Sequence, residues 1–70
     1  MELNLNLLSK VKELGFDIDS CKSTSDLCEL LPENYLFIEQ RLWVGRLFVD
    51  ADNYDYPNAI LNMLILLRKN

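Results

Sequence analysis

The residue types that carry most enzyme chemistry are sparse in this sequence, and histidine is absent. Without histidine the chain lacks a Ser–His–Asp triad, the usual proton shuttle near neutral pH and the common histidine zinc sites. Cys21 and Cys28 have no other soft ligands around them, which does not match a structural zinc site. Cys21 has only Lys22 as a cationic neighbour, which is too little to stabilise a reactive thiolate. The sequence therefore predicts a protein that is not an enzyme and holds no cofactor.

The best local group of possible metal ligands is the acidic stretch D-A-D-N-Y-D, which contains Asp50, Asp52 and Asp55. Hard divalent cations prefer clustered carboxylate oxygens. The stretch departs from a calcium-binding EF-hand loop, because Tyr54 occupies its fifth position and the sixth is not glycine. A solvated turn that places negative charge at the start of the next helix explains the same residues. Binding of a divalent cation or another ligand by this loop is therefore our alternative function.

Aromatic and arginine residues form a candidate site of another kind, for contact with a protein. Trp43 lies between Arg41 and Arg46, and Tyr54 and Tyr56 follow in the acidic loop. Trp, Tyr and Arg are the residue types enriched at the hot spots of protein interfaces. Simple core packing explains the aromatic residues equally well. A base-stacking platform for nucleic acid would need more basic residues around them than this sequence supplies.

The charge balance argues against nucleic acid and against an anionic membrane surface. The chain has 11 acidic and 7 basic residues, and the basic ones are scattered in ones and twos. The apolar run Ala59–Leu67 is far shorter than the roughly 20 residues that span a bilayer. The first residues, M-E-L-N-L-N, lack the positive region of a secretory signal. We therefore expect a cytoplasmic protein with reduced cysteines.

The C-terminal stretch predicts a helix over Pro57–Asn70. Proline suits its first turn, and Arg68 with Lys69 complements the negative end of the helix dipole. At about 100° per residue, one broad face of this helix is apolar. The residues on that face are Ala59, Ile60, Met63, Leu64, Leu66 and Leu67. Leu61 and Ile65 fall outside it, so we expect them to need cover from another element or from a partner chain.

Two further helices are predicted in the first half of the chain. An apolar pattern indicates one helix over Leu3–Leu14, with Gly15 as the left-handed residue that ends it. A short second helix fits Asp26–Leu31, because Ser23 or Ser25 offers a cap and Pro32 ends it. The intervening stretch Phe16–Asp19 is interpreted as a loop rather than an edge strand.

Aromatic and β-branched residues then indicate strands at Tyr35–Ile38 and Leu47–Val49. The turn between them lies either at Glu39–Arg41 or at Gly45–Arg46. We favour the first position, which makes Leu42–Val49 one long strand. The resulting order is α-α-β-β-α, an α+β fold in which an antiparallel hairpin of two to three strands packs against the N- and C-terminal helices. An open sheet side carrying Tyr35, Phe37 and Trp43 would expose a large apolar patch.

These features together predict one small domain over residues 1–70 that acts through contact with protein. In being acidic, histidine-free and of the α+β class, the chain resembles the short accessory proteins carried by bacteria, phages and mobile elements. The primary hypothesis is a non-enzymatic interaction module, an adaptor or inhibitor, that forms a homodimer or binds a protein partner. The expected contact residues are Arg41, Trp43, Arg46, Tyr54, Tyr56, Leu61 and Ile65.

Overall fold

A computed structural model describes residues 2–69 of the chain. It confirms the α+β class, with helices and an antiparallel sheet of three strands. In chain order the elements are α1 (Leu5–Glu13), α2 (Thr24–Cys28), β1 (Tyr35–Ile38), β2 (Arg41–Val44), β3 (Leu47–Asp50), a 3-10 turn (Asp52–Tyr54) and α3 (Tyr56–Lys69).

The sheet contains both of the turns that the sequence offered as alternatives. β1 pairs with β2, and β2 pairs with β3, through loops at Glu39–Gln40 and Gly45–Arg46. Glu39 and Gly45 have positive φ values of 51° and 60°, as the first residue of a type II′ turn requires. The favoured interpretation of a single strand over Leu42–Val49 is therefore wrong.

Long-range hydrogen bonds explain how a turn forms at Glu39 without a glycine. The hydroxyl of Tyr56 donates to the backbone carbonyl of Glu39. The backbone N–H of Ala51 donates to the carbonyl of Gln40 at 2.7 Å. The predicted turn at Glu39–Arg41 is thus present in a shorter, two-residue form, held by partners from later in the chain.

α3 is the central element of the core, since it packs against α1, α2, β2 and β3. Its residues Ile60, Leu61 and Met63 are 0% exposed. Of the two sources of cover that the sequence left open for Leu61, other elements of the same chain supply it, because they surround this helix on several sides. No helix within residues 2–69 combines the length and the apolar character needed to cross a bilayer.

The ends of the helices follow the predicted chemistry with small shifts. The side chain of Asn4 accepts hydrogen bonds from the backbone at the start of α1, and Gly15 ends that helix with a φ of 93°. Ser23 caps α2, which begins two residues earlier than predicted and ends at Cys28. Beyond Cys28 the backbone continues in tight turns towards Leu31. The loop after α1 buries Ile18, as expected of a loop that packs against the core.

Candidate protein-interaction surface

The sheet has one face towards the helices and one face towards solvent, because side chains alternate along each strand. Leu42 and Val44 of β2 point inwards and are buried. The strand register then sets two rows of solvent-facing side chains across the three strands. We call these six residues the open face: Leu36, Trp43 and Phe48 in one row, and Ile38, Arg41 and Asp50 in the other.

Most of the open face is apolar and accessible. Leu36 is 55% exposed, Ile38 is 48% exposed and Phe48 is 44% exposed, while Trp43 is half-buried among them. Four of the six side chains are therefore aromatic or aliphatic. The solvent face of an antiparallel sheet ordinarily carries polar residues, so this composition is unusual for an uncovered face.

The side chains of the open face are held in place by contacts with one another. The rings of Trp43 and Phe48 lie 4.9 Å apart between centroids. The guanidinium carbon of Arg41 lies 4.6 Å from the centre of the Phe48 ring. Nε of Arg41 also lies 3.4 Å from Oδ1 of Asp50. Each contact is exposed and contributes little to folding stability, but together they reduce the rotamer freedom that binding would have to remove.

The structure separates the predicted contact residues into several places. Trp43 and Arg41 both belong to the open face, whereas Arg46 lies in the turn at the opposite end of β2. Tyr54 is 60% exposed, and its ring lies 6.3 Å from that of Tyr56. Tyr56 is half-buried and anchors the Glu39 turn, so its position is structural.

Tyr35 and Phe37 lie on the helix side of the sheet, which corrects the expectation that they face outwards. Their rings are 5.6 Å apart, and the ring of Phe37 lies 4.4 Å from that of Tyr56. Leu36, Ile38 and Phe48 are the residues that the sequence analysis missed. Alternation along a strand shows that every second side chain shares a face of the sheet. The sequence did not show which of the two sets faces the core.

The other two predicted apolar positions are on α3 and differ from each other. Leu61 is fully buried, so it is not available to a partner in the folded chain. Ile65 is half-buried, and it borders a shallow hollow with Phe48 and Val49 beside the edge of the sheet.

The three carboxylates of the acidic loop have different surroundings. Asp50 pairs with Arg41 on the open face. Asp55 caps α3, because its side chain accepts hydrogen bonds from the backbone N–H and the side-chain amide of Asn58, at 3.3 and 2.8 Å. Asp52 lies in the 3-10 turn between them. Within residues 2–69 there is no group of three or more His, Cys, Asp or Glu side chains arranged to hold a metal ion.

The cysteines lie away from the open face, and the surroundings of Cys21 oppose thiolate chemistry. Burial, followed by the negative charges of Asp26, Asp17 and Glu29, raises the pKa of the Cys21 thiol. The charge of Cys28 and a hydrogen bond with its side chain raise the pKa of Tyr35. A raised thiol pKa disfavours the nucleophilic form of Cys21.

A hollow of ≈ 530 Å³ lies at one end of the open face. Its walls combine apolar and acidic side chains around Arg41. The residues that line it are Ile38, Glu39, Gln40, Arg41, Trp43, Asp50 and Asp52. An aromatic ring beside several carboxylates is a setting that suits a cationic group.

The fold and this surface define a small α+β domain with a largely apolar open sheet face. No protein-family model matches the chain, and comparison with the curated proteins and with the solved structures gives no match. The chemistry of the open face is therefore the feature of this domain that indicates a function.

Proposed function

We propose that the protein is a non-enzymatic interaction module, an adaptor or inhibitor, that binds another protein through its open face. The observation that carries this proposal is the exposure of Leu36, Ile38 and Phe48 around Trp43 on one side of the sheet. Contiguous exposed apolar surface with a polar rim is typical of protein contact sites. The central Trp and the neighbouring Arg41 are hot-spot residue types.

The size of the open face limits what it can bind without help. Burying a large apolar side chain completely contributes about 1.5–3 kcal/mol. Leu36, Ile38, Trp43 and Phe48 are on average less than half-exposed, so together they supply about 3–6 kcal/mol. Association costs about 4–15 kcal/mol in lost freedom of motion. The open face alone therefore supports weak binding, and a tight complex needs further contacts at its rim or at the strand edges.

This balance favours a different protein over a second copy as the partner. The predicted homodimer was motivated partly by Leu61, which the chain itself buries. The remaining apolar surface is too small to hold two like chains together by itself, and the net charge of −4 on each copy opposes their approach. We therefore expect a monomer in the absence of the partner.

The proposal is tested by affinity capture from the native cells with three baits. The first is the unaltered chain, and the second carries Leu36→Thr and Phe48→Thr, which remove apolar contact area but keep residues that favour strands. The control carries Leu5→Ser, because Leu5 is 78% exposed but lies on α1, outside the sheet.

The expected result is a protein that the unaltered chain and the Leu5 variant retain and that the double variant loses. Calorimetry with the purified proteins must then show that this protein binds the unaltered chain and the Leu5 variant with similar affinity and the double variant more weakly. Equal retention by all three baits, or loss with the Leu5 variant alone, would show that the open face is not the contact surface. Matching urea midpoints for the baits exclude unfolding as the cause of a loss.

A further inference from the structure

The charges around the open face restrict the chemistry of a partner more narrowly than the apolar residues of that face do. This step rests on the proposed function, since it assumes that the open face binds protein. We propose that the partner presents a lysine or arginine flanked by apolar residues, and that this cation occupies the hollow between Trp43 and the carboxylates of Glu39 and Asp52.

The hollow is acidic overall although it contains Arg41. Three carboxylates border it, those of Glu39, Asp50 and Asp52, against the single guanidinium. Arg41 is already engaged, because it pairs with Asp50 and lies over the Phe48 ring. Among the described residues 2–69, neither Glu39 nor Asp52 forms an ion pair. The negative charge of these two side chains is therefore free to attract a cation from outside.

The apolar walls of the hollow suit the rest of a basic side chain. Ile38 and Trp43 border the hollow and also belong to the open face. The methylene stem of a lysine or arginine packs against apolar surface while its charged head reaches polar groups, and a ring face adds attraction for that head. Neighbouring apolar residues of the partner would then extend along the row of Leu36, Trp43 and Phe48.

Charge also decides among the possible occupants of the face. Two copies placed face to face would bring Glu39 and Asp52 of one copy near the acidic rim of the other. Nucleic acid would bring phosphates to the same carboxylates. A head-to-tail arrangement could instead place the basic end of α3, with Arg68 and Lys69, against the open face of a second copy. Such a contact does not close on itself, so it would produce open-ended assemblies.

The test uses a phage-displayed library of random peptides, selected on the full chain. The peptides that it enriches are then synthesised and titrated against purified variants. Glu39→Gln with Asp52→Asn removes the two free carboxylates of the hollow. Asp19→Asn with Glu29→Gln is the matched control, because it changes the net charge equally at exposed positions outside the hollow.

The expected peptides carry a lysine or arginine among apolar residues. Their affinity falls about tenfold or more for the hollow variant, against less than about twofold for the charge control. Raising the salt concentration from about 0.05 M to about 0.5 M weakens binding to the unaltered chain, because salt screens the attraction between the peptide's cation and the carboxylates of the hollow.

The outcomes separate this inference from the proposed function. Neutral or acidic peptides that bind equally well to the hollow variant, but are lost with the Leu36→Thr and Phe48→Thr double variant, overturn the inference and leave the proposed function standing. If no selected peptide binds the Leu36→Thr and Phe48→Thr double variant more weakly than the unaltered chain, the proposed function itself is overturned. Growth of the particle mass with protein concentration, measured by light scattering, would identify a second copy as the occupant and also overturn the inference.

Discussion

Leu61 provides the sharpest test of the fold, because sequence and structure assign it different roles. The sequence pattern places it on the uncovered side of the C-terminal helix, as a contact for a partner. The structure places it in the core with 0% exposure. As a contact residue it would tolerate truncation without loss of stability, whereas as a core residue it would not. Leu61→Ala therefore distinguishes the two roles directly.

The expected loss for Leu61→Ala is about 2–5 kcal/mol, because the lost transfer energy is increased by the cavity that remains. A 70-residue domain has a total unfolding free energy of only about 3.5–10 kcal/mol, at about 0.05–0.15 kcal/mol per residue. The substitution thus removes a large share of the stability. With a urea slope of about 1 kcal/mol per molar, typical of the smallest domains, the midpoint should fall by about 2–5 M.

Urea titrations followed by Trp43 fluorescence and by far-ultraviolet circular dichroism measure this change with two independent signals. Leu36→Thr is the matched control, since Leu36 is 55% exposed and threonine also favours strands. Its expected cost is below about 1 kcal/mol. A cost below about 1 kcal/mol for Leu61→Ala, or equal costs for both variants, would refute the packing described for α3.

Three further predictions concern the turn at Gly45, the acidic loop and Cys21. Gly45→Ala should cost about 1–2 kcal/mol, because alanine disfavours the φ of 60° in this turn, and an unchanged urea midpoint would contradict that conformation. Asp55→Ala should cost about 1–2 kcal/mol because the cap of α3 is lost, whereas Asp55→Asn should retain most of the stability. A urea midpoint of the unaltered chain that rises with added calcium would instead support a cation site. In a Cys28→Ser background, iodoacetamide should modify Cys21 more slowly in the folded chain than in urea, because the raised pKa of Cys21 reduces its thiolate fraction, and equal rates would contradict this. The same raised pKa favours the folded state below the ordinary thiol pKa, and that contribution is lost as the pH rises through the higher folded value.

The fold class was predictable because the strongest local signals agreed with one another. The glycine at position 15 indicated the end of α1, and the apolar pattern of α3 indicated its buried face. The turn at Gly45–Arg46 was passed over although its glycine, with a φ of 60°, gave a local signal for it. The turn at Glu39 was predicted one residue too long. Its two-residue form depends on hydrogen bonds from Tyr56 and to Gln40 from Ala51, far along the chain, which local sequence preference does not reveal.

The candidate surface was predictable only in part. The predicted turn at Glu39–Arg41 is one residue longer than the observed loop, and this difference changes which residues of β1 and β2 share a face of the sheet. Trp43 and Arg41 were identified by residue type, and both belong to the open face. Tyr35 and Phe37 were placed on the wrong side, since side-chain direction depends on register and a shift by one residue exchanges the two faces. With the two-residue loops fixed, the burial of Leu42 and Val44 determines the direction of every other strand residue.

Folding alone does not account for the composition of the open face. The inward-facing residues of the three strands already supply the sheet's share of the core, and α3 packs against β2 and β3. At solvent-facing strand positions, threonine, lysine or glutamine would satisfy the backbone equally well and would make the free protein more soluble. Leu36, Ile38, Trp43 and Phe48 therefore add exposed apolar surface that does not contribute to the core. Arg41 partly covers this surface by lying over Phe48 while keeping its charge at the acidic rim. Such an arrangement keeps the free protein soluble while its apolar side chains remain available for burial against a partner.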